Sequence, residues 1–411
     1  MNRFALVFIV LTALLDSIGF GIIMPVLPGL LMEITGEDLS ANAMYGGWLM
    51  FVFAIMQFLF SPLVGNLSDR FGRRPILLVS LFVAGINYLI MGFAETLLLL
   101  FIGRIISGLG ASSMSTCNAY IADITPAHER ATRFGLIGAA FGMGFVIGPV
   151  IGGFLGEFGT RMPFIAAALI SFANMAFGFF VLKESLTEEN RRPLDLKRAN
   201  PVGTLVHLRQ FPMVFGIVAV MFLTNLGHHV LPATWSFWGI EKFNWTPKEI
   251  GYSLGFVGIG MVLVQGFLIR LVIPKTGSRV AGILGFSFTI IAFLGYALAD
   301  QVWVVYVALM FGALGGFANP AMQGIASSQI SADRQGELQG GISSIMSLTA
   351  ILSPPVMAQV FSYFTSSESA IYFPGAAFLL AAILTALALA LFIRFTRGFS
   401  ESTPATNPSS T

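Results

Sequence analysis

The chain has 411 residues, of which 56% are hydrophobic and 10% charged. Soluble domains carry roughly 25% Asp, Glu, Lys and Arg, so this composition cannot clothe a water-facing surface and excludes a soluble enzyme, a nucleic-acid binder and a disordered scaffold. The net charge of +2 identifies no partner, and a single cysteine, Cys117, excludes a disulfide framework or a cysteine metal site.

About 20 mostly apolar residues cross a bilayer as a helix, and twelve such windows run along the chain near 4–27, 43–64, 75–94, 97–118, 134–156, 162–182, 211–237, 250–273, 279–299, 302–323, 338–361 and 371–393. They are continuously apolar rather than alternating, so helices and not a barrel are expected. The first continues past Asp16 without a small-residue cleavage site, unlike a secretory leader. With the N-terminus in the cytoplasm, eighteen of the 22 Lys and Arg fall on the cytoplasmic side, three on the other, and Arg104 inside a span. That bias predicts both termini in the cytoplasm.

A charged stretch, 183–210, splits the spans into an N-terminal half (1–182) and a C-terminal half (211–397), followed by a Ser-, Thr- and Pro-rich tail (398–411) expected to be disordered. A shift of 205 residues places Gly46 on Gly251, Gly72 on Gly277, Gly135 on Gly340 and Pro149 on Pro354. The expected architecture is all-α: twelve transmembrane helices in two six-helix repeats, an arrangement with which secondary transporters build a central site.

Ionisable residues inside a membrane are costly and mark functional sites. Asp16, midway along the first span, is a candidate proton carrier; a structural carboxyl bonded to a neighbouring helix is the alternative. Arg104, in the fourth span, is a fixed positive charge that could pair with Asp16, polarise a water chain to it, or simply lock helices. Between the second and third spans, the stretch from Gly65 through Asp69, Arg70, Gly72 and Arg73 to Arg74 reads either as a topology anchor or as a gate. In the gate reading Asp69 contacts the end of a helix from the second half in one state only. Gly144, Gly148, Pro149 and Gly152 form a flat stripe on the fifth span for close helix packing. Candidate substrate contacts are Gln57, Asn87, His228, His229, Asn319 and Gln323. His228 and His229 point about 100° apart on one helix and cannot jointly clamp a metal. No phosphate-binding Gly-Lys-Ser/Thr run is present, which leaves an ion gradient as the energy source. No cofactor is expected.

These residues resemble the major facilitator superfamily over nearly the whole chain. The 65–74 loop is similar to that family's signature, and the fifth-span glycine-proline pattern to its proton-coupled exporters. Leu15–Gly19, Ile23–Pro28, Ser68–Pro75 and Pro320–Gly324 look like the tetracycline/proton antiporters. The resemblance implies proton and substrate coupling at Asp16, a helix-four motif at Arg104 and a gating acid at Asp69. It also singles out Asn87, Met261 and Ser287, neutral here where those antiporters carry titratable groups. The expectation is a monomeric proton-driven exporter of amphipathic small molecules in the bacterial inner membrane, binding no nucleic acid. A metabolite symporter and a non-transporting membrane sensor are the alternatives.

Overall fold

A computed structural model describes residues 3–110, 113–126, 129–191, 212–331 and 334–399. The expected tail and most of the 183–210 linker lie outside these residues. Among the described residues eleven apolar helical runs are long enough to span, and the longest, Pro247–Leu298, is two spans broken at Gly277, which makes twelve. The first six are Arg3–Ile23, Leu39–Phe71, Arg73–Phe93, Leu97–Gly110 continued by Ser113–Ile124, Arg130–Gly156 and Met162–Val181. Pro212–His228 with Val230–Phe243 make the seventh. The eighth begins at Pro247 and runs into the ninth, which ends at Leu298, through a non-helical Gly277. Val302–Ser328, Gln335–Thr365 and Ala376–Phe395 complete the set.

Several boundaries differ from the hydropathy windows. The first window runs to 27, but the helix stops at Ile23 and a short helix, Leu27–Thr35, follows a turn. Pro25 has no amide to donate, and Pro28 suits the first turn of a new helix. The second and eleventh spans outrun their windows because their polar ends continue the helix beyond the apolar stretch. The twelfth starts at Ala376 rather than 371, since Gly375 presses on the Ala297 carbonyl and ends the preceding loop. The eighth span also carries a π-turn, Val264–Leu268, for which the apolar pattern gives no signal.

Residues 205 apart occupy matching places. Gly72 and Gly277 both break a helix pair with positive φ, +107° and +78°, a backbone that costs little for glycine. Near the end of the molecule opposite the termini, the second span crosses the eleventh and the fifth crosses the eighth. A Cβ on Gly47 would stand 2.9 Å from the Pro354 carbonyl, and one on Gly251 would strike the Pro149 carbonyl. Gly153 meets Pro247 in the same way. Ser40 donates to the Ser362 carbonyl at 2.7 Å, and Ser236 to the Met24 carbonyl at 2.7 Å. On that face Glu33 joins Thr160 at 2.5 Å and Arg161 at 3.0 Å. The Thr160 hydrogen bond, more than the Arg161 charge, holds the Glu33 carboxyl below its usual range.

The same four spans part toward the face that carries the termini. Glycines 65, 135, 138, 142, 266 and 336 would each present a Cβ to open space, with nothing within 4 Å. Among the described residues the molecule is therefore sealed on one face and open on the other. Around the outside, Phe180, Leu169 and Trp303 are exposed, as a lipid-facing surface requires.

Oxidation should cross-link Ser40→Cys to Ser362→Cys in a Cys117→Ser background, because the parent hydroxyls lie 3.3 Å apart. Adding Gly153→Leu should lower the yield about ten-fold, since overpacking costs roughly 1–3 kcal/mol. Yields would be read on gels; an undiminished yield would show that the seal does not depend on backbone contact at Gly153.

Candidate functional site

Where the two halves face each other lies a cavity of about 400 Å³. Phe20, Ile23 and Met24 of the first span line it, with Met50, Phe53, Ala54 and Gln57 of the second and Phe145 of the fifth. The seventh span contributes His229, Pro232, Ser236 and Phe237, and the eleventh Ala350 and Pro354. The sealed seam forms one end, since Ser236 and Pro354 belong to both the wall and the crossing contacts. Phe20 and Phe145 stack with ring centres 6.2 Å apart. The wall is aromatic and aliphatic with few polar groups, the chemistry of a site for small amphipathic molecules.

Arg104 is the charged member of this wall. Its side chain is 8% exposed, its guanidinium carbon stands 6.0 Å from the Phe53 ring centre, and its Nε has no hydrogen-bond partner. Among the described residues no ion pair joins it to Asp16, so the direct pairing allowed by the sequence is not made. Asp16 instead accepts a very short hydrogen bond from the Ser113 hydroxyl. Ser113 lies nine residues beyond Arg104 in the same span, so the two groups approach the first span at different levels. Asp16 is partly buried, and it is not a wall residue.

Tyr88 of the third span reaches the first span close to Asp16. Its hydroxyl presses on Gly19, where any Cβ would collide with it. A tyrosine at the edge of an apolar window carries no sequence signal for this role. Only the close approach of the first and third spans reveals it. The neighbouring Asn87 does not reach the cavity. It is 2% exposed, with Oδ1 unpartnered and turned toward Gly103 of the fourth span. The missing side chain at Gly103 lets the third and fourth spans close over it.

The other expected contacts separate. His229 is on the wall, while His228 packs edge-on against Phe293 at 5.5 Å, as the 100° offset between neighbours requires. Gln57 is on the wall. Asn319 and Gln323 share a face of the tenth span and approach each other at 3.5 Å, but neither lines the cavity. Among the described residues no group of His, Cys, Asp and Glu has the arrangement of a metal site.

The fifth-span stripe packs on the first span. Cβ atoms at Gly144 and Gly152 would strike the carbonyls of Leu14 and Ile22, and one at Gly148 would stand 2.7 Å from that of Ile18. Pro149 faces Gly21 on one side and Gly251 on the other, so it serves both the half and the seam.

The charged loop turns inward on its own half. Arg73 pairs with Asp69 at 2.6 Å and with Asp123 at 3.2 Å. The helix N-terminus that follows is held by Glu184, which accepts from the Arg73 and Arg74 amides at 2.8 and 3.1 Å. The acid at the start of the third span is thus Glu184, which follows the sixth span. Gly72 is required there because a Cβ would collide with the Glu184 carboxylate. Arg74 reaches the Phe179 carbonyl at 2.7 Å, Arg70 lies over Phe71, and Gly65 faces open space. No helix end of the second half touches Asp69 in this state among the described residues.

The Major Facilitator Superfamily model matches residues 9–354. The chain is 39% identical over 358 residues to a class C tetracycline resistance protein of Escherichia coli, covering 87% of this chain and 90% of that one. It is 30% identical to multidrug resistance protein 2 of Bacillus subtilis, covering 86% and 88%. Among solved structures, a bacterial homologue of the human lysosomal transporter Spinster, inward-facing and unoccupied, superposes with a TM-score of 0.78 at 14% identity, covering 98% of this chain and 99% of that one. With twelve spans, a sealed and an open face and a cavity between two halves, the chain is an integral membrane protein that belongs to the major facilitator superfamily.

Proposed function

We propose that the chain is a proton-driven exporter of amphipathic small molecules in the bacterial inner membrane, acting as a monomer. The cavity carries this reading: apolar, closed at one end, open toward the termini and set between halves able to rock. The sequence assigns eighteen of the 22 basic residues to loops on the terminal side, a bias that supports a cytoplasmic terminal face and an inward-facing state. The 39% identical relative is a tetracycline resistance protein and the 30% identical one a multidrug resistance protein, so drug-like cargo is the natural extension.

In this reading the halves 1–182 and 211–397 move against each other, with 183–210 as tether. Asp16 loads a proton from outside and releases it inside. Ser113 is bonded to it in the inward-facing state, the Tyr88 hydroxyl meets the first span at Gly19, and the cavity begins one turn away at Phe20. Arg104 senses the proton through this row without touching Asp16. The 65–74 loop is the inner gate. Asp69 is held by Arg73 while the gate is open and is released to a helix end of the second half when it shuts. The fifth-span glycines and Pro149 let the outer seam close without intervening side chains.

Asp16→Asn should abolish flux driven by a proton gradient in inverted vesicles while leaving expression intact, because an amide carries no proton at this position. Transport close to the parent level would remove Asp16 from coupling. Asp69→Asn should slow turnover about ten-fold, equivalent to 1.36 kcal/mol on the barrier, with cargo affinity unchanged. Weakened binding at unchanged turnover would contradict a gate. Gly19→Ala, which drives the Tyr88 hydroxyl off the first span, should slow proton-driven flux by a similar factor, and Tyr88→Phe should do so without overpacking. If only Gly19→Ala acts, the effect is steric and Tyr88 has no part in coupling.

A further inference from the structure

We propose that the cavity selects flat aromatic anions over lipophilic cations, and that Arg104 sets this sign. The inference rests on the reading of the cavity as the cargo site and names the chemical class that site accepts. Three observations carry it. Arg104 lines the wall while 8% exposed, and its Nε lacks a partner. Among the described residues no carboxylate lines the wall with it. The nearest in-membrane acid, Asp16, is off the wall and bonded to Ser113.

A guanidinium removed from water without a counter-ion gains from any ligand that supplies a charge-assisted acceptor. A lipophilic cation would bring a second positive charge to the same place, with no wall carboxylate to offset the first. The remaining polar wall groups, Gln57, His229 and Ser236, are neutral or basic, so none reverses the sign. Rings set the shape. Phe53 lies beside the guanidinium, and Phe20 stacks on Phe145. An acidic edge at Arg104 therefore places a flat body among aromatic faces, and guanidinium itself stacks on planar systems. About 400 Å³ is near the small end of the roughly 300–1,000 Å³ of small-molecule sites, which suits a compact polycyclic ligand.

The experiment compares two xanthene dyes of similar size and opposite charge, fluorescein and rhodamine 123. Their binding to the full-length protein in phosphatidylcholine nanodiscs is read by fluorescence anisotropy without a proton gradient. Fluorescein should bind at least about ten-fold more tightly, a difference of 1.4 kcal/mol. Arg104→Gln should erase that preference, and Arg104→Lys, which keeps the charge, should retain most of it. Rhodamine 123 binding as tightly as fluorescein to the parent protein would overturn the proposal, and so would a preference that survives in Arg104→Gln. If Arg104→Gln does not fold, the parent protein and Arg104→Lys decide the outcome, since loss of the preference in the lysine protein would also overturn it. Proton-driven flux is measured separately in vesicles. Absent flux with the dye preference intact would sink the antiport reading and leave the charge preference standing.

Discussion

The structure depends on the closeness with which helix backbones approach where no side chain intervenes. Helices in a bilayer gain nothing from hiding apolar groups from lipid, so they associate through contact and hydrogen bonding, and small residues provide the contact. Gly144, Gly148 and Gly152 bring the fifth span onto the carbonyls of the first. Pro149 with Gly251, Gly153 with Pro247 and Gly47 with Pro354 bring the halves together. These seam contacts involve no ion pair among the described residues, and a seal made of close contact can part without separating charges. A transporter that must open on each cycle needs that property.

The second organising constraint is the cost of polar groups in hydrocarbon. Some inside the N-terminal half are satisfied locally, as with Asp16 on Ser113 and Tyr120 on the Lys183 carbonyl. Others are not: the Nε of Arg104, the Oδ1 atoms of Asn87 and Asn174 and the hydroxyl of Ser17 have no partner. Buried atoms left in this state are held by the packing around them and respond to a ligand or a proton. The C-terminal half places its bulk differently, with Trp235, Trp238, Tyr296 and Phe378 packed ring against ring near the sealed face. That rigid block gives the seventh span a fixed support from which His229, Ser236 and Phe237 reach the cavity.

The charged loop is tied down within its own half. Asp69, Arg73 and Asp123 form a closed group on the open face, and Glu184 holds the following helix start through backbone amides. The loop is therefore held firmly in this state. In the proposed gate, closure exchanges one carboxylate contact for another, which keeps the energy difference between states small.

Much of this was legible in the chain. Apolar windows of spanning length, basic residues crowded on alternate loops and glycine-proline matches at an offset of 205 specify twelve helices and their duplication, because these are local or periodic properties of the chain. An acid and an arginine inside spans announce themselves by their cost. What tertiary structure alone decided is which side chains meet. Ser113, not Arg104, contacts Asp16; Glu184 holds the start of the third span; Tyr88 reaches the first span at Gly19; and Asn87, Asn319 and Gln323 miss the cavity. Each of these depends on the rotation and depth of one helix against another. A glycine absent or present on the facing helix sets that depth, and hydropathy along a single span does not encode it.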